Sequence, residues 1–246
     1  MYLFLSLLFG FSSFQAMAST ITVFAASSLT DALSEITHHY EHEAKVKVRL
    51  SFDSSSRLAR QIGNEAKADL FFSASDEWNS YLEELKKIIS GNTVNVLSNE
   101  LSLVTFKSNK IQIKTFEDLK SVKFKNLCLA QETVPAGKYA YEALRKMKLL
   151  TSVKSRIVQG DNVRNVLGWV ARNEADLAIV FASDLKSQDK VRELLRIPPY
   201  YHSQIVYSLS LVGNTPSKDA LSFYLYLQGT KARATFEKYG FKNLIQ

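Results

Sequence analysis

The chain has a single cysteine, Cys128, so no disulfide can form within it. Cys128 sits in Lys125-Asn126-Leu127-Cys128-Leu129-Ala130, which predicts a buried strand where packing is its role. Glycine is scarce, with nine in 246 residues, and proline scarcer, with four. No Walker-type phosphate loop and no G-x-G-x-x-G is present, which argues against a nucleotide enzyme. No G-x-S-x-G elbow is present either, so no serine has the strained turn of a hydrolase nucleophile. No pair of carboxylates has a spacing that argues for acid–base catalysis. There is no internal repeat and no low-complexity tract. The formal charge is +7. The basic residues are dispersed, with Lys107, Lys110 and Lys114 the nearest approach to a cluster, so a nucleic-acid partner is not expected.

Long apolar runs are also lacking. The longest, Leu3 to Phe11, falls short of the roughly 20 residues that span a membrane. It precedes Ala16-Met17-Ala18, a small-x-small cleavage pattern. Residues 1–18 therefore read as a secretory signal peptide cut before Ser19. Its n-region has no Lys or Arg, and the α-amino group alone supplies positive charge. No Cys follows the run to take a lipid.

What remains is ordinary globular material, 46% hydrophobic and 22% charged. That is enough for one large or two modest domains. Two stretches organise it. Val46 to Phe52 alternates as a half-buried strand, and Leu58, Ala59 and Ile62 then fall on one helix face. Asp53, Ser54, Ser55 and Ser56 sit at the junction. Ile21 to Ala25 is a short apolar strand followed by Ala26-Ser27-Ser28-Leu29-Thr30, with Leu29, Ala32, Leu33 and Ile36 on one face of the next helix. First-turn N–H groups have no acceptor within their own helix, and the dipole makes that end positive. Hydroxyls beside them form an anion site. The plainer reading of either junction is an ordinary helix cap with spare serines. Two such junctions in consecutive units, at the carboxyl ends of strands, favour a shared small ligand.

Ala68 to Ala74 predicts a third strand, and Ser75 or Asp76 caps the helix after it. Thr93 to Phe106 carries two extended runs split by Ser98-Asn99-Glu100, a candidate crossing between lobes. A second series of strands and helices follows. It includes the helix after Val134-Pro135-Ala136-Gly137, the helix opened by Gly160-Asp161-Asn162-Val163-Arg164 and the buried strand Ala175 to Phe181. Gln204 to Val212 is a long alternating strand and the candidate return crossing. Two helices end the chain. Alternation of strands and helices predicts an α/β protein of two lobes, each a mainly parallel sheet flanked by helices, with two crossing strands as hinge. The first lobe takes residues 19–98 and 205–246, the second residues 99–204.

Two other chemistries deserve weighing. His38 and His42, spaced i,i+4, share a helix face and with Glu41 or Glu43 could hold a metal. The pattern is not H-E-x-x-H, and the tract is polar all round, so a solvated helix end is the better reading. A secreted serine hydrolase using Ser28 or Ser55 needs a nearby histidine, and His202 is the one candidate outside that tract.

Several motifs together resemble the periplasmic molybdate-binding proteins of ABC importers. They are Val23 to Thr30, Ser54 to Ile62, Ala68 to Ala74, Val134 to Ala140, Asp161 to Arg164 and Tyr239-Gly240-Phe241. The resemblance covers nearly the whole chain after the leader. It implies two α/β lobes with the ligand between them. It implies that Ser28 and Ser55 donate hydroxyls from the first lobe, and that Ala136 and Val163 donate backbone N–H groups from the second. The family's fifth ligand is a tyrosine hydroxyl, and its position here is Phe181, a departure for which Ser27 or Ser54 could compensate. The implied protein is a periplasmic monomer, not an enzyme, with no cofactor and no directly bound metal cation. It delivers molybdate or tungstate to an ABC permease. The alternative cargo is another oxyanion, such as sulfate or a small carboxylate. Molybdate carries no proton at neutral pH, so its site should offer donors only. Asp53 is therefore expected to face away from it.

Overall fold

The computed structural model describes residues 20–88 and 91–245. The leader expected over residues 1–18 lies outside the described residues. In the first lobe β1 (Thr20–Ala26) leads through a 3-10 turn at Ser27–Leu29 into α1 (Thr30–Ala44). β2 (Lys47–Asp53), α2 (Ser55–Gly63), β3 (Leu70–Ser73), α3 (Asp76–Glu84) and β4 (Thr93–Ser98) follow. The second lobe holds β5 (Leu101–Phe106), β6 (Leu127–Ala130), α4 (Pro135–Lys146), α5 (Leu150–Val153) and β7 (Ile157–Gly160). It continues with α6 (Val163–Ala171), β8 (Leu177–Phe181) and β9 (Val191–Ile197). The chain then returns to the first lobe as β10 (Val206–Leu211), α7 (Lys218–Tyr226), α8 (Thr230–Lys238) and β11 (Lys242–Asn243).

The strand orders are β11-β4-β10-β3-β1-β2 in the first sheet and β7-β6-β8-β5-β9 in the second. Both sheets are more mixed than helix–strand alternation suggests. β1–β2, β1–β3, β6–β7 and β6–β8 are parallel, whereas every pairing that involves β4, β5, β9, β10 or β11 is antiparallel. The strands beside the crossings are reached without the crossover helix that a parallel neighbour requires. β9 is an edge strand that does not alternate, and its pairing with β5 shifts register between Leu103 and Val104. Its sequence therefore carries no alternating strand pattern.

The register decides where the chain delivers its serines. β1 and β2 run parallel with Ala26 opposite Asp53, and β3 pairs Phe72 with Ala25. The carboxyl ends of three strands are therefore level, and Ser27, Ser54 and Ala74 emerge side by side. The helices are fixed behind them by apolar faces. Leu29, Leu33 and Ile36 pack in the main core, and Leu58, Ala59 and Ile62 in a second cluster with Phe71 and Leu82. Each of those larger side chains contributes roughly 1.5–3 kcal/mol on burial.

Candidate functional site

A cavity between the lobes gathers the expected residues, and a second interlobe pocket, lined by Arg57, Arg60 and Asp161, adjoins it at Ser54 and Val134. Ser27, Ser28, Ser54 and Ser55 line the cavity from the first lobe, and Ala136, Val163 and Phe181 from the second. It is small, and the ≈ 200 Å³ of empty space between its walls includes open solvent. Among the described residues, no Lys, Arg or His side chain lines it. Three helix N-termini converge there, since α2 begins at Ser55, α4 at Pro135 and α6 at Val163.

Each terminus leaves donors unused by its helix. Ser54 is the N-cap of α2, but its side chain makes no cap bond; its Oγ accepts from Ser56 Oγ at 3.3 Å. Ser75 holds the same place before α3, again without a side-chain cap bond, contrary to the capping expected there. In α4, Pro135 has no N–H, so Ala136 carries the first donor. In α6, Asn162 accepts from Asn165 N at 3.0 Å, which leaves the N–H of Val163 without a side-chain cap. Gly137 lets α4 approach. A Cβ there would lie 2.1 Å from the Gln131 carbonyl oxygen and 2.4 Å from that of Ala130.

The two ligand-candidate hydroxyls are anchored. Ser55 Oγ, 1% exposed, accepts from Ala74 N at 2.9 Å, which turns its own hydrogen elsewhere. Ser28 Oγ lies 2.8 Å from the Tyr207 hydroxyl. Phe181 is 1% exposed, with its ring 5.8 Å from Tyr207 and 6.4 Å from Tyr139, centroid to centroid. Burial pushes the Tyr139 phenol up to about 12 and that of Tyr207 higher still, so both keep their protons.

Asp53 does not face away. It lines the cavity, and its Oδ1 accepts from Ser54 N at 2.7 Å and from Asn162 Nδ2 at 3.2 Å. Its Oδ2 pairs with Arg57 at 3.1 Å. β2 ends on this residue, so its carboxylate meets the first unbonded N–H of the next helix and the Arg one turn on. Those donors occupy the carboxylate at the edge of the cleft.

The lobes are drawn together around the cavity. Arg164 reaches from α6 to Asp31 at 2.7 Å and to the Ser28 carbonyl at 3.3 Å, while pairing at 2.9 Å with Asp184 in its own lobe. Asp184 is fully buried, and burial raises it to about 6 against the pull of Arg164. It also accepts from Phe181 N at 3.2 Å, fixing the end of β8. Lys138 meets Glu77 at 2.5 Å and Arg57 meets Asp161 at 3.7 Å across the cleft.

The competing chemistries find no support in this geometry. His202 Nδ1 lies 2.7 Å from the Ser203 carbonyl, and its ring packs on Tyr139; it contacts neither Ser28 nor Ser55. His38 and His42 are exposed, and no group of three or more metal-ligating side chains occurs among the described residues. Tyr207, Asn99, Asn162 and Arg164 are the site residues that sequence patterns did not single out. For Tyr207 a signal existed: a buried tyrosine in an alternating strand needs a partner for its hydroxyl.

Comparison with known proteins agrees with this architecture. The family model described as bacterial extracellular solute-binding protein matches residues 21–242. The chain is 36% identical over 235 residues to the molybdate-binding protein ModA of Haemophilus influenzae, covering 92% of this chain and 91% of that one. It is also 36% identical to ModA of Escherichia coli, covering 90% and 88%. Among solved structures, the substrate-binding domain of a putative molybdenum ABC transporter from Clostridium difficile superposes with a TM-score of 0.71 at 29% identity, covering 92% of this chain and all of that one. The periplasmic molybdate-binding protein of Azotobacter vinelandii, at 20% identity and a TM-score of 0.80 over 90% and 98% of the two chains, shares the fold. The chain belongs to the bacterial extracellular solute-binding protein family.

Proposed function

We propose that this protein captures molybdate or tungstate in the interlobe cavity and hands it to an ABC permease from the periplasmic side of the membrane. The observation that carries the reading is the donor set: two anchored hydroxyls and three helix N-termini, from both lobes, around a cavity that no cationic side chain of the described residues lines. Neutral dipoles suffice for a dianion, because helix N-termini already carry partial positive charge and free N–H groups. With the Asp53 carboxylate taken up by Ser54 N, Asn162 and Arg57, the groups left to meet a ligand are donors; that suits an anion without a proton, whereas hydrogen phosphate also needs an acceptor. The 36% identical relatives named as molybdate-binding add the identity of the cargo. Ser28, Ser55, Ala136 and Val163 are the ligand residues, with Ser27, Ser54 and Phe181 in the surrounding wall. In this reading the protein acts as a monomer without catalytic activity or cofactor, and the oxyanion is cargo.

Closure follows from ligand bridging, since only the closed form offers both sets of donors. A thermal-shift panel with molybdate, tungstate, sulfate and phosphate tests the assignment. A ligand at about 100 times its Kd adds about 2.7 kcal/mol, worth roughly 5–10 °C in a chain of this size. Molybdate and tungstate should raise the melting temperature and phosphate should not. The absence of a shift with either metal oxyanion at millimolar concentration overturns the reading.

A further inference from the structure

The direction of the Ser28 proton can be worked out from the groups behind it. Asn99 sits at the crossing between β4 and β5, 5% exposed. Its Oδ1 accepts from Glu100 N at 2.9 Å and from Ser183 N at 3.4 Å, which fixes the amide. Its Nδ2 must then donate, and it reaches Ser183 Oγ at 2.8 Å and the Tyr207 hydroxyl at 3.2 Å. Tyr207 is wholly buried at the start of β10, where the chain has just returned to the first lobe. Its oxygen accepts from Asn99, so its hydrogen needs an acceptor. The partner in reach is Ser28 Oγ at 2.8 Å. Ser28 therefore accepts from behind, and its own hydrogen has the cavity before it.

The geometry points to Tyr207 as a positioning residue that makes Ser28 a one-way donor, so that the Asn99–Tyr207–Ser28 chain ties the hinge to the ligand and favours proton-free oxyanions. The inference rests on the proposed oxyanion-binding role of the cavity. Without the phenol, Ser28 Oγ is free to turn and accept, which weakens its grip on molybdate and admits an anion that brings a proton.

A double-mutant cycle on the full mature chain tests this, with molybdate affinity read by calorimetry for wild type, Tyr207→Phe, Ser28→Ala and the double variant. Tyr207→Phe should weaken molybdate about tenfold, the scale of one neutral hydrogen bond. In the Ser28→Ala background the same change should have almost no further effect, because Tyr207 acts through that hydroxyl. Phosphate should compete with molybdate more effectively in Tyr207→Phe than in wild type. Losses that multiply across the cycle overturn the inference, since a merely structural tyrosine acts independently of Ser28. Should Tyr207→Phe not fold, Asn99→Ala in both Ser28 backgrounds serves instead, with non-additivity expected and additivity refuting. A wild type that binds no molybdate defeats the underlying reading; a wild type that binds with an additive cycle defeats this inference alone.

Discussion

Replacing Phe181 with tyrosine gives the sharpest test of the cavity, because it adds one hydroxyl donor to the wall without removing any other group. Phe181 ends β8, is 1% exposed, and is held by the bond from its N–H to Asp184. Its ring is wedged between Tyr139 and Tyr207 and lines the cavity. The added hydroxyl enters a place where the aromatic ring already fits. With a dianion present it gains a charge-assisted hydrogen bond worth about 1.5–3 kcal/mol. That tightens binding roughly tenfold to a hundredfold. Without ligand the same hydroxyl faces a cavity open to solvent, where water satisfies it, so little stability is lost. Phe181→Tyr should therefore bind molybdate more tightly and melt close to wild type when empty. Calorimetry gives the affinity and a thermal melt the empty-state stability. Equal or weaker binding, with or without loss of stability, refutes the placement of this side chain against the ligand.

Three further perturbations follow from the same geometry. On the proposed site, Ser55→Ala removes a donor to the anion, and it leaves Ala74 N–H without its acceptor, so affinity should fall roughly tenfold to a hundredfold and stability by about 1–3 kcal/mol; calorimetry and urea titration read the two separately. Gly137→Ala puts a methyl group into two carbonyl oxygens, so α4 must withdraw from the cavity, and molybdate affinity should drop even though no donor is deleted. Arg164→Met strands Asp184 in a fully buried place and should cost about 3–5 kcal/mol in urea denaturation near neutral pH. Its pH dependence has a definite sign. Asp184 is raised from 3.8 to about 6 in the folded protein, so the native state holds this proton more readily than the unfolded chain. Its contribution is present at low pH and is lost as pH rises through that interval. Without Arg164 the loss should extend to higher pH, so the variant's stability deficit should be smaller at pH 5 than at pH 8.

Much of this arrangement was legible in the sequence because strand-to-helix junctions carry local signals. The apolar faces Leu29-Leu33-Ile36 and Leu58-Ala59-Ile62 gave two helices with their starts, and hence the serines at their entries. Family resemblance, rather than pattern, pointed to Ala136 and Val163, since a backbone donor leaves no mark on residue type. The rest depends on contacts between distant segments. Asp53 lines the cavity, contrary to expectation, because the partners that offset its repulsion for an anion leave no mark in sequence spacing. Ser54 N, Arg57 and Asn162, the last from the other lobe, hold its carboxylate at the edge. The mixed strand directions were hidden for a similar reason: they follow from the two crossings, and β9 carries no alternation to announce itself. Asn99 and Tyr207 are separated by 108 positions, and their pairing exists only in the folded hinge.

The same distribution of contacts bears on how affinity divides between ligand and lobe closure. Of the side-chain ion pairs that span the cleft, Lys138–Glu77 and Arg57–Asp161 are between exposed groups. Pairs of that kind contribute little net stability. Arg164–Asp31 is better shielded, but Arg164 keeps its buried partner Asp184 whether or not the lobes close. Closure therefore has modest support from the protein alone, and most of the force holding the lobes must come from the anion that joins their donors. A ligand shifts a two-state equilibrium only by its differential affinity for the two forms. Deleting Asp31 should then weaken molybdate by raising the open population, without touching the ligand shell. The hydroxyl of Ser55, by contrast, acts on the closed form directly. On the proposed reading, affinity is accordingly set in two separable places, the neutral donors that meet the anion and the interlobe contacts that decide how often those donors are assembled.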